Sequence, residues 1–345
     1  MQLEFITPAG NSTSASSENL SNHSQSSALS LLLEQAAASG YRFITPTPLT
    51  HRTVLQNRRA AMSKTLRDIF GWNLPFAAEN IALPLRELMH AAGILAASDG
   101  LFKTTIRIAT LEDVLFLHSG YPTTQEDAVF FGPDTYRFIR FIRQSLEQTL
   151  PSVPVRRILD IGCGSGAGGI MSARILAKCS PANAAALQVV MNDINPHALA
   201  LTAINAQAAQ VSVEVVLGDA LAAVAGEFDL IVCNPPYLDD DEGRAYRHGG
   251  AGLGRALGVR MAEQALSHLA PGGRLLLYTG VAIVEGNDAF IAEIGPLLAA
   301  GKYDWAYDEI DPDIFGEELT RPQYHCAERI AAVGLTVIRR VDLIA

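Results

Sequence analysis

The sequence predicts an α/β protein: a doubly wound, mostly parallel sheet preceded by a smaller, mostly helical module. Two observations carry this. From Arg156 onward, apolar strand-like runs alternate with helical runs, as in "RRILDIGCG", "GAGGIMSARILAKC", "LQVVMNDIN" and "PHALALTAINAQAA". Repeated units of this kind imply a parallel sheet with helices on both faces. Before that point the pattern is helical, apart from one stretch of β-branched alternation at 101–120, "LFKTTIRIATLEDVLFLHSG".

The elements follow in order. Residues 1–27 are rich in Ser, Asn and Gly, and that composition predicts a flexible tail. Residues 28–125 form the first module. "SALSLLLEQAAAS" reads as a helix closed by Gly40, "HRTVLQNRRAAMSKTLRDIF" (51–70) as a second helix and "LPLRELMHAAGIL" (83–95) as a third. The alternating stretch after them reads as a short hairpin or wing. Three helices and a wing resemble a winged-helix module, which serves elsewhere in DNA binding, as a lid or as a dimer surface. Pro122 to Gln144 links the halves, with a helix starting near Asp134. Residues 126–345 form the sheet domain. Its later strands are "VSVEVVLGDAL", "FDLIVCNPPY" and "PGGRLLLYTG", with "GVRMAEQALSHLA" as a helix between the last two.

Bulk properties narrow the function. The chain has 345 residues, 49% hydrophobic and 18% charged, enough for two domains with a real core. No apolar run approaches the ~20 residues of a membrane helix, and the first residues lack the pattern of a secretory signal. Cys163, Cys179, Cys233 and Cys326 show no metal-type spacing, so we expect reduced thiols in a cytoplasmic protein and no metal. The net charge is −10. Nucleic-acid binders usually present a basic face, so the expected partner is a small molecule or a peptide, with nucleic acid disfavoured and no membrane. The basic stretch at 51–67 reads as a solvated helix face. Nothing in the sequence fixes the oligomeric state.

Polar motifs sit at successive strand ends, where open α/β sheets bind ligands. The first is "LDIGCGSGAGG", with Asp160, Gly162, Cys163, Gly164 and Gly166 at a strand-to-helix turn. The glycines permit close backbone approach to a ligand. A carboxylate at Asp160 repels a pyrophosphate and suits an ammonium group. The second strand ends in Asp193 and Ile194, where a carboxylate can accept both hydroxyls of a ribose. The third ends in Asp219 and Ala220, which can meet an adenine amino group through a carboxylate and a backbone N–H. The fourth ends in Asn234-Pro235-Pro236-Tyr237. Any one of these acids could be a plain helix N-cap, but their order along the sheet argues for one shared site.

On these motifs, residues 126–345 resemble a class I S-adenosylmethionine (SAM)-dependent methyltransferase with a Rossmann-like parallel sheet. The closer resemblance is to the Asn-Pro-Pro-Tyr branch, which includes the release factor glutamine methyltransferases and amino-directed nucleic-acid methyltransferases. The resemblance implies that Gly162 to Gly166 wrap the methionine part of SAM, that Asp193 holds the ribose and that Asp219 lies near the adenine. "FFGPDTYRF" (130–138) is similar to the segment ahead of the sheet in the glutamine methyltransferases and would bring Pro133, Asp134 and Thr135 to the cofactor's edge. The first module departs from the helical bundle of those enzymes.

The Asn-Pro-Pro-Tyr corner fits nitrogen chemistry. The Asn234 side-chain oxygen and the Pro235 carbonyl can accept hydrogen bonds from an attacking nitrogen, and the prolines align them in advance. Tyr237 offers a π face to a planar acceptor or to the sulfonium. Asn234, Pro235 and Tyr237 are therefore the expected catalytic set, with Asn234 also at the cofactor. Tyr246, Arg247, His248, Tyr278 and Thr279 are candidate substrate contacts, and Glu317, Glu318 and Tyr324 weaker ones. The expected function is methyl transfer from SAM to nitrogen. One alternative is a natural-product enzyme that cyclises SAM to azetidine-2-carboxylate and methylthioadenosine. Another is a non-catalytic regulator that binds SAM or DNA.

Overall fold

The computed structural model describes residues 12–58, 63, 65–148, 154–180, 186–240, 244 and 246–341. The first module contains α1 (Ser12–Ala38), α2 (Pro48–Asn57), α3 (Leu83–Ala91) and four short strands, β1 (Leu95–Ser98), β2 (Leu101–Thr104), β3 (Ile106–Leu111) and β4 (Val114–Ser119). The chain then runs through α4 (Pro133–Gln148), β5 (Arg157–Ile161), α5 (Ala167–Cys179), β6 (Gln188–Asp193), α6 (Pro196–Ala208), β7 (Glu214–Leu217) and β8 (Phe228–Cys233). It closes with α7 (Ala256–Ser267), β9 (Leu269–Val284), β10 (Asn287–Asp288), α8 (Ala289–Ala300), β11 (Tyr303–Asp311) and β12 (Arg329–Arg339).

The main sheet has the order β11-β12-β9-β8-β5-β6-β7, and β10 pairs with β9. β5 to β9 pair in parallel, and β11 and β12 add antiparallel at one edge. The order reverses at β5, so a crevice opens at the carboxyl ends of β5 and β8, where such folds bind ligands. This is the Rossmann-like α/β architecture the sequence predicts.

Strand residues alternate between the two faces of the sheet. Ile158, Leu230, Val232 and Leu276 pack with residues of α4 and α5 on one face. Leu159, Ile231, Cys233 and Leu275 pack with α7 and α8 on the other. The first module has its own apolar core, built on Leu32, Phe43, Phe70, Phe76, Met89 and Ile108. That core takes in Ala198, Leu201 and Ile204 of α6, so the module is seated on the sheet domain. Asn205, fully buried, locks the junction: its Oδ1 accepts from Leu117 N at 2.8 Å, and its Nδ2 donates to Leu117 O at 3.1 Å and Ser165 O at 2.9 Å.

Several elements differ from the sequence reading. α1 begins at Ser12, so residues 12–27 are helical where composition predicts a tail. Burial of Ala28, Leu32 and Leu33 anchors the C-terminal half, and a helix once nucleated extends cheaply. The tail's first eleven residues lie outside the described residues. The helix expected over 51–70 is split: α2 stops at Asn57, and among the described residues a short helical turn at Arg67–Gly71 follows. α3 ends at Ala91 because Gly93, at φ +68°, turns the chain into β1. The expected wing becomes two hairpins, β1–β2 and β3–β4. Among the described residues, no helix is long and apolar enough to cross a membrane.

Candidate active site

The crevice at the switch point holds a cavity of about 340 Å³. Its first wall is the turn from β5 into α5. Gly162 and Gly164 have φ of +65° and +55°, and a Cβ on either would project into open space. Glycine is required there by the backbone, and its bare surface is what a ligand would meet. Behind the turn Asp160 is 2% exposed and accepts from Gly169 N at 2.7 Å. Burial, helped by the nearby Asp193 carboxylate, pushes the Asp160 carboxyl up to about 7 against the pull of that N–H. Gly168 allows this approach, since its Cβ would sit 2.8 Å from Asp160 Oδ2.

The second wall comes from β6. Asp193 Oδ2 accepts from Gly164 N at 2.8 Å, and Oδ1 accepts from Asn195 N at 2.9 Å. Burial raises its carboxyl, while the N–H groups of Asn195, Gly164 and Ile194 hold it down. Ile194 is exposed on the cavity rim. After β7, Ala220 is buried with φ +45°. Asp219 is held by Arg260 at 2.9 Å, an exposed pair worth little in stability.

The third wall is the corner after β8. Cys233 points into the core beside Met261. Asn234 turns into the cavity, and its Oδ1 is buried with no hydrogen-bond partner among the described residues. Pro235 and Tyr237 line the same space. A Cβ at Gly280 would sit 2.4 Å from the Tyr237 ring, so the ring lies directly on the β9 backbone. Its hydroxyl faces Asp134, which also accepts from Tyr278 Oη at 2.7 Å and from Arg137 at 3.2 Å. Burial raises both the Asp134 carboxyl and the Tyr237 phenol.

Most sequence-derived candidates meet here. Asp160, Gly162, Cys163, Gly164, Asp193, Ile194, Asp219, Ala220, Asn234, Pro235, Tyr237, Asp134, Thr135, Tyr246 and Arg247 all line the cavity. Other expected residues do not, Pro133 and Thr279 among them. Gly166 is the N-cap of α5 and packs on Thr202. Tyr278 is fully buried behind the wall, where it buttresses Asp134. The His248 ring accepts from Asp240 N at 3.3 Å and serves the loop's own turn. Of the weaker candidates, Glu318 and Tyr324 tie loops together behind the lining. Sequence reasoning missed Pro48, Phe130, Arg260, Met261 and Phe315, which also line the cavity. These come from segments far apart in the chain with no motif of their own. Phe130 stacks on Tyr246 at 6.1 Å and 10°, and Tyr246 donates to Thr123 O at 2.7 Å, so linker and loop close over the cavity together.

The lining is rich in acceptors. Asn192 Oδ1, like Asn234 Oδ1, is buried without a partner among the described residues, and the carboxylates of Asp160 and Asp193 face the same space. Orphaned buried acceptors call for a ligand that donates. An ammonium group and ribose hydroxyls supply donors, and the positive charge of a sulfonium suits the carboxylates, so the site fits SAM.

Residues 142–282 match the family model for the methyltransferase small domain. The release factor glutamine methyltransferase of Lactococcus lactis is 31% identical over 175 residues, covering 47% of this chain and 58% of the relative. That of Deinococcus radiodurans is 36% identical over 209 residues, covering 57% and 66%. The ribosomal RNA small subunit methyltransferase C of Serratia proteamaculans is 29% identical over 119 residues, covering 34% and 29%. The chain thus spans less than two thirds of these relatives. Their names correct one expectation from charge: relatives are named for a protein release factor and for ribosomal RNA, so a small-molecule or peptide partner with nucleic acid disfavoured does not stand. A net charge sums the whole surface and does not describe the face that meets a partner. Residues 142–282 thus match a methyltransferase domain, the chain is similar to the release factor glutamine methyltransferases over part of their length, and SAM is the cofactor such a domain implies.

Proposed function

We propose that the protein transfers the SAM methyl group to a planar NH2 nitrogen of a macromolecule, and that this nitrogen is the side-chain amide of a glutamine in a protein. The observation that carries it is the buried, unpartnered Asn234 Oδ1 facing the cavity. Leaving such an acceptor unmade costs ~1–3 kcal/mol, so a substrate N–H that satisfies it is strongly selected. SAM supplies an electrophilic methyl carbon with a neutral thioether as leaving group. Asn234 Oδ1 and the Pro235 carbonyl accept the two N–H bonds of the incoming amide. This twists the lone pair out of conjugation and aims it at the methyl; as the N–CH3 bond forms the S–CH3 bond breaks, and the nitrogen gives up one of its two protons to water. Tyr237, wedged on β9, fixes the plane of the amide. Gly162, Gly164 and Thr135 position the methionine arm, Asp193 the ribose, and Asp219 and Ala220 the adenine edge. The relatives above are all named as methyltransferases, and none of them supports SAM cyclisation. An amino group of ribosomal RNA is the second reading, favoured by the likeness to methyltransferase C. The cysteines are unpaired, two buried and two exposed, which suits a reducing, cytoplasmic setting.

The test is incubation with isotopically labelled SAM and either a purified translation release factor or small-subunit ribosomal RNA. Mass spectrometry then locates the methyl group. Label on a glutamine of the protein supports the first reading, and label on an RNA amino group replaces it with the second. S-adenosylhomocysteine formation with neither acceptor refutes both.

A further inference from the structure

The connection between β11 and β12, residues 312–328, brings one residue to the cavity wall beside Tyr237. Phe315 lines the cavity with its ring centroid 6.1 Å from that of Tyr237. Its backbone is left-handed, at φ +53°. A bulky residue keeps that conformation only where its surroundings over-determine it, and such outliers gather at functional sites. The surroundings here are explicit. Ile314 N donates to Ile330 O at 2.7 Å, and Glu318 N donates to Phe315 O at 2.8 Å. Asp239 N donates to Tyr324 Oη at 2.7 Å, and Gln323 Nε2 donates to Asp239 O at 3.0 Å. The connection is thereby clamped to the loop that follows Asn-Pro-Pro-Tyr.

Arg247 completes the clamp. Its carbonyl accepts from Leu238 N at 3.1 Å, which seats it beside Tyr237. Its Nε lies 3.3 Å from Asp240, a carboxylate with no exposed side-chain surface, and its Nη2 bonds Glu318. One edge of the guanidinium is thus ion-paired with two buried carboxylates, Nη2 hydrogen-bonded to Glu318 and Nε near Asp240 without a hydrogen bond. The other edge, Nη1, has no acceptor among the described residues, and Arg247 lines the cavity.

We propose that Arg247 and Phe315 select the acceptor, reading a carboxamide as distinct from a carboxylate. Resting on the methyl-transfer reading above, the arrangement divides the amide between two partners. Asn234 accepts from the NH2, Arg247 Nη1 donates to the carbonyl oxygen, and Phe315 packs on the flat face. Each end of the amide meets its complement in one orientation only. A carboxylate presents an oxygen to Asn234 Oδ1, two acceptors facing each other, and is rejected. Sites built to pair a substrate N–H discriminate strongly against the analogue that lacks it.

The test uses N-acetylglutamine N-methylamide and its glutamate counterpart as probes. Binding is followed by saturation-transfer NMR on the full chain saturated with S-adenosylhomocysteine. The glutamine probe should bind and the glutamate probe should not. Arg247→Lys and Phe315→Leu should each weaken glutamine-probe binding by roughly tenfold, the scale of one lost charge-assisted hydrogen bond or aromatic contact. S-adenosylhomocysteine affinity should stay within about twofold, as it must if these residues touch only the acceptor. Equal binding of the two probes, unchanged probe binding in both variants, or no glutamine-probe binding to the wild type overturns the proposal. Loss of S-adenosylhomocysteine binding in both variants also overturns it, because it assigns the residues to fold or cofactor. Selective glutamine-probe binding by a protein that never turns SAM into S-adenosylhomocysteine leaves this inference standing and refutes the proposed function.

Discussion

Asp160→Asn should stabilise the ligand-free protein, and more so at high pH. The Asp160 carboxyl moves from its usual 3.8 to about 7 because it is buried. A carboxyl raised in the folded state binds more protons folded than unfolded between those values. Its contribution to stability therefore falls as pH rises from about 4 to about 7. Integrating that linkage gives a penalty of about 2 kcal/mol at pH 5 and about 4 kcal/mol at pH 8. The isosteric amide removes the charge and retains an oxygen for Gly169 N. At about 2.1 cal/mol/K of unfolding entropy per residue, the difference of roughly 2–3 kcal/mol corresponds to about 3–4 °C. The assay is a thermal melt of both proteins without SAM at pH 5 and pH 8. The gain in Tm from Asp160→Asn should be about 3–4 °C larger at pH 8. An equal gain at both pH values, or a larger one at pH 5, would falsify the assignment of a buried, high-pKa carboxyl behind the glycine turn.

Asp193→Ala removes the acceptor that holds Gly164 N and faces the proposed ribose, so SAM affinity by calorimetry should fall by ~1.5–3 kcal/mol. Unchanged affinity means the ribose sits elsewhere. Asn205→Ala strips the buried amide that joins β4 to the glycine turn. Urea denaturation should show a loss of ~2 kcal/mol or more, and a variant as stable as wild type would show that the module is not anchored there.

The parallel sheet was legible because each strand carries a continuous apolar run, and the candidate site because its residues follow those strands directly. Asp160, Asp193, Asp219 and Asn234 each stand at or just after a strand end, and the fold alone brings them together. What short motifs could not reveal was contact between distant segments. Phe130 and Phe315 are separated by most of the catalytic domain, yet both line the cavity. Arg260 reaches back from α7 to Asp219. Tyr278 misled because a polar aromatic at a strand end looks like a wall residue. β9 continues to Val284, and Tyr278 faces inward to Asp134. The tail misled because composition measures what a segment can bury by itself, whereas α1 is carried by the packing of its second half.

The central claim is that Asn234 acts chiefly by holding the attacking nitrogen, its contact with the cofactor being the lesser role. Its most direct test is to compare wild type and Asn234→Ala in two quantities, SAM affinity and single-turnover release of S-adenosylhomocysteine with a glutamine-bearing release factor as acceptor. Affinity should stay within about threefold, the scale of a single weak contact. The rate should fall by ~10²-fold or more, the scale of lost nucleophile alignment. A variant that turns over at the wild-type rate, or one that loses SAM binding and rate together, contradicts the account.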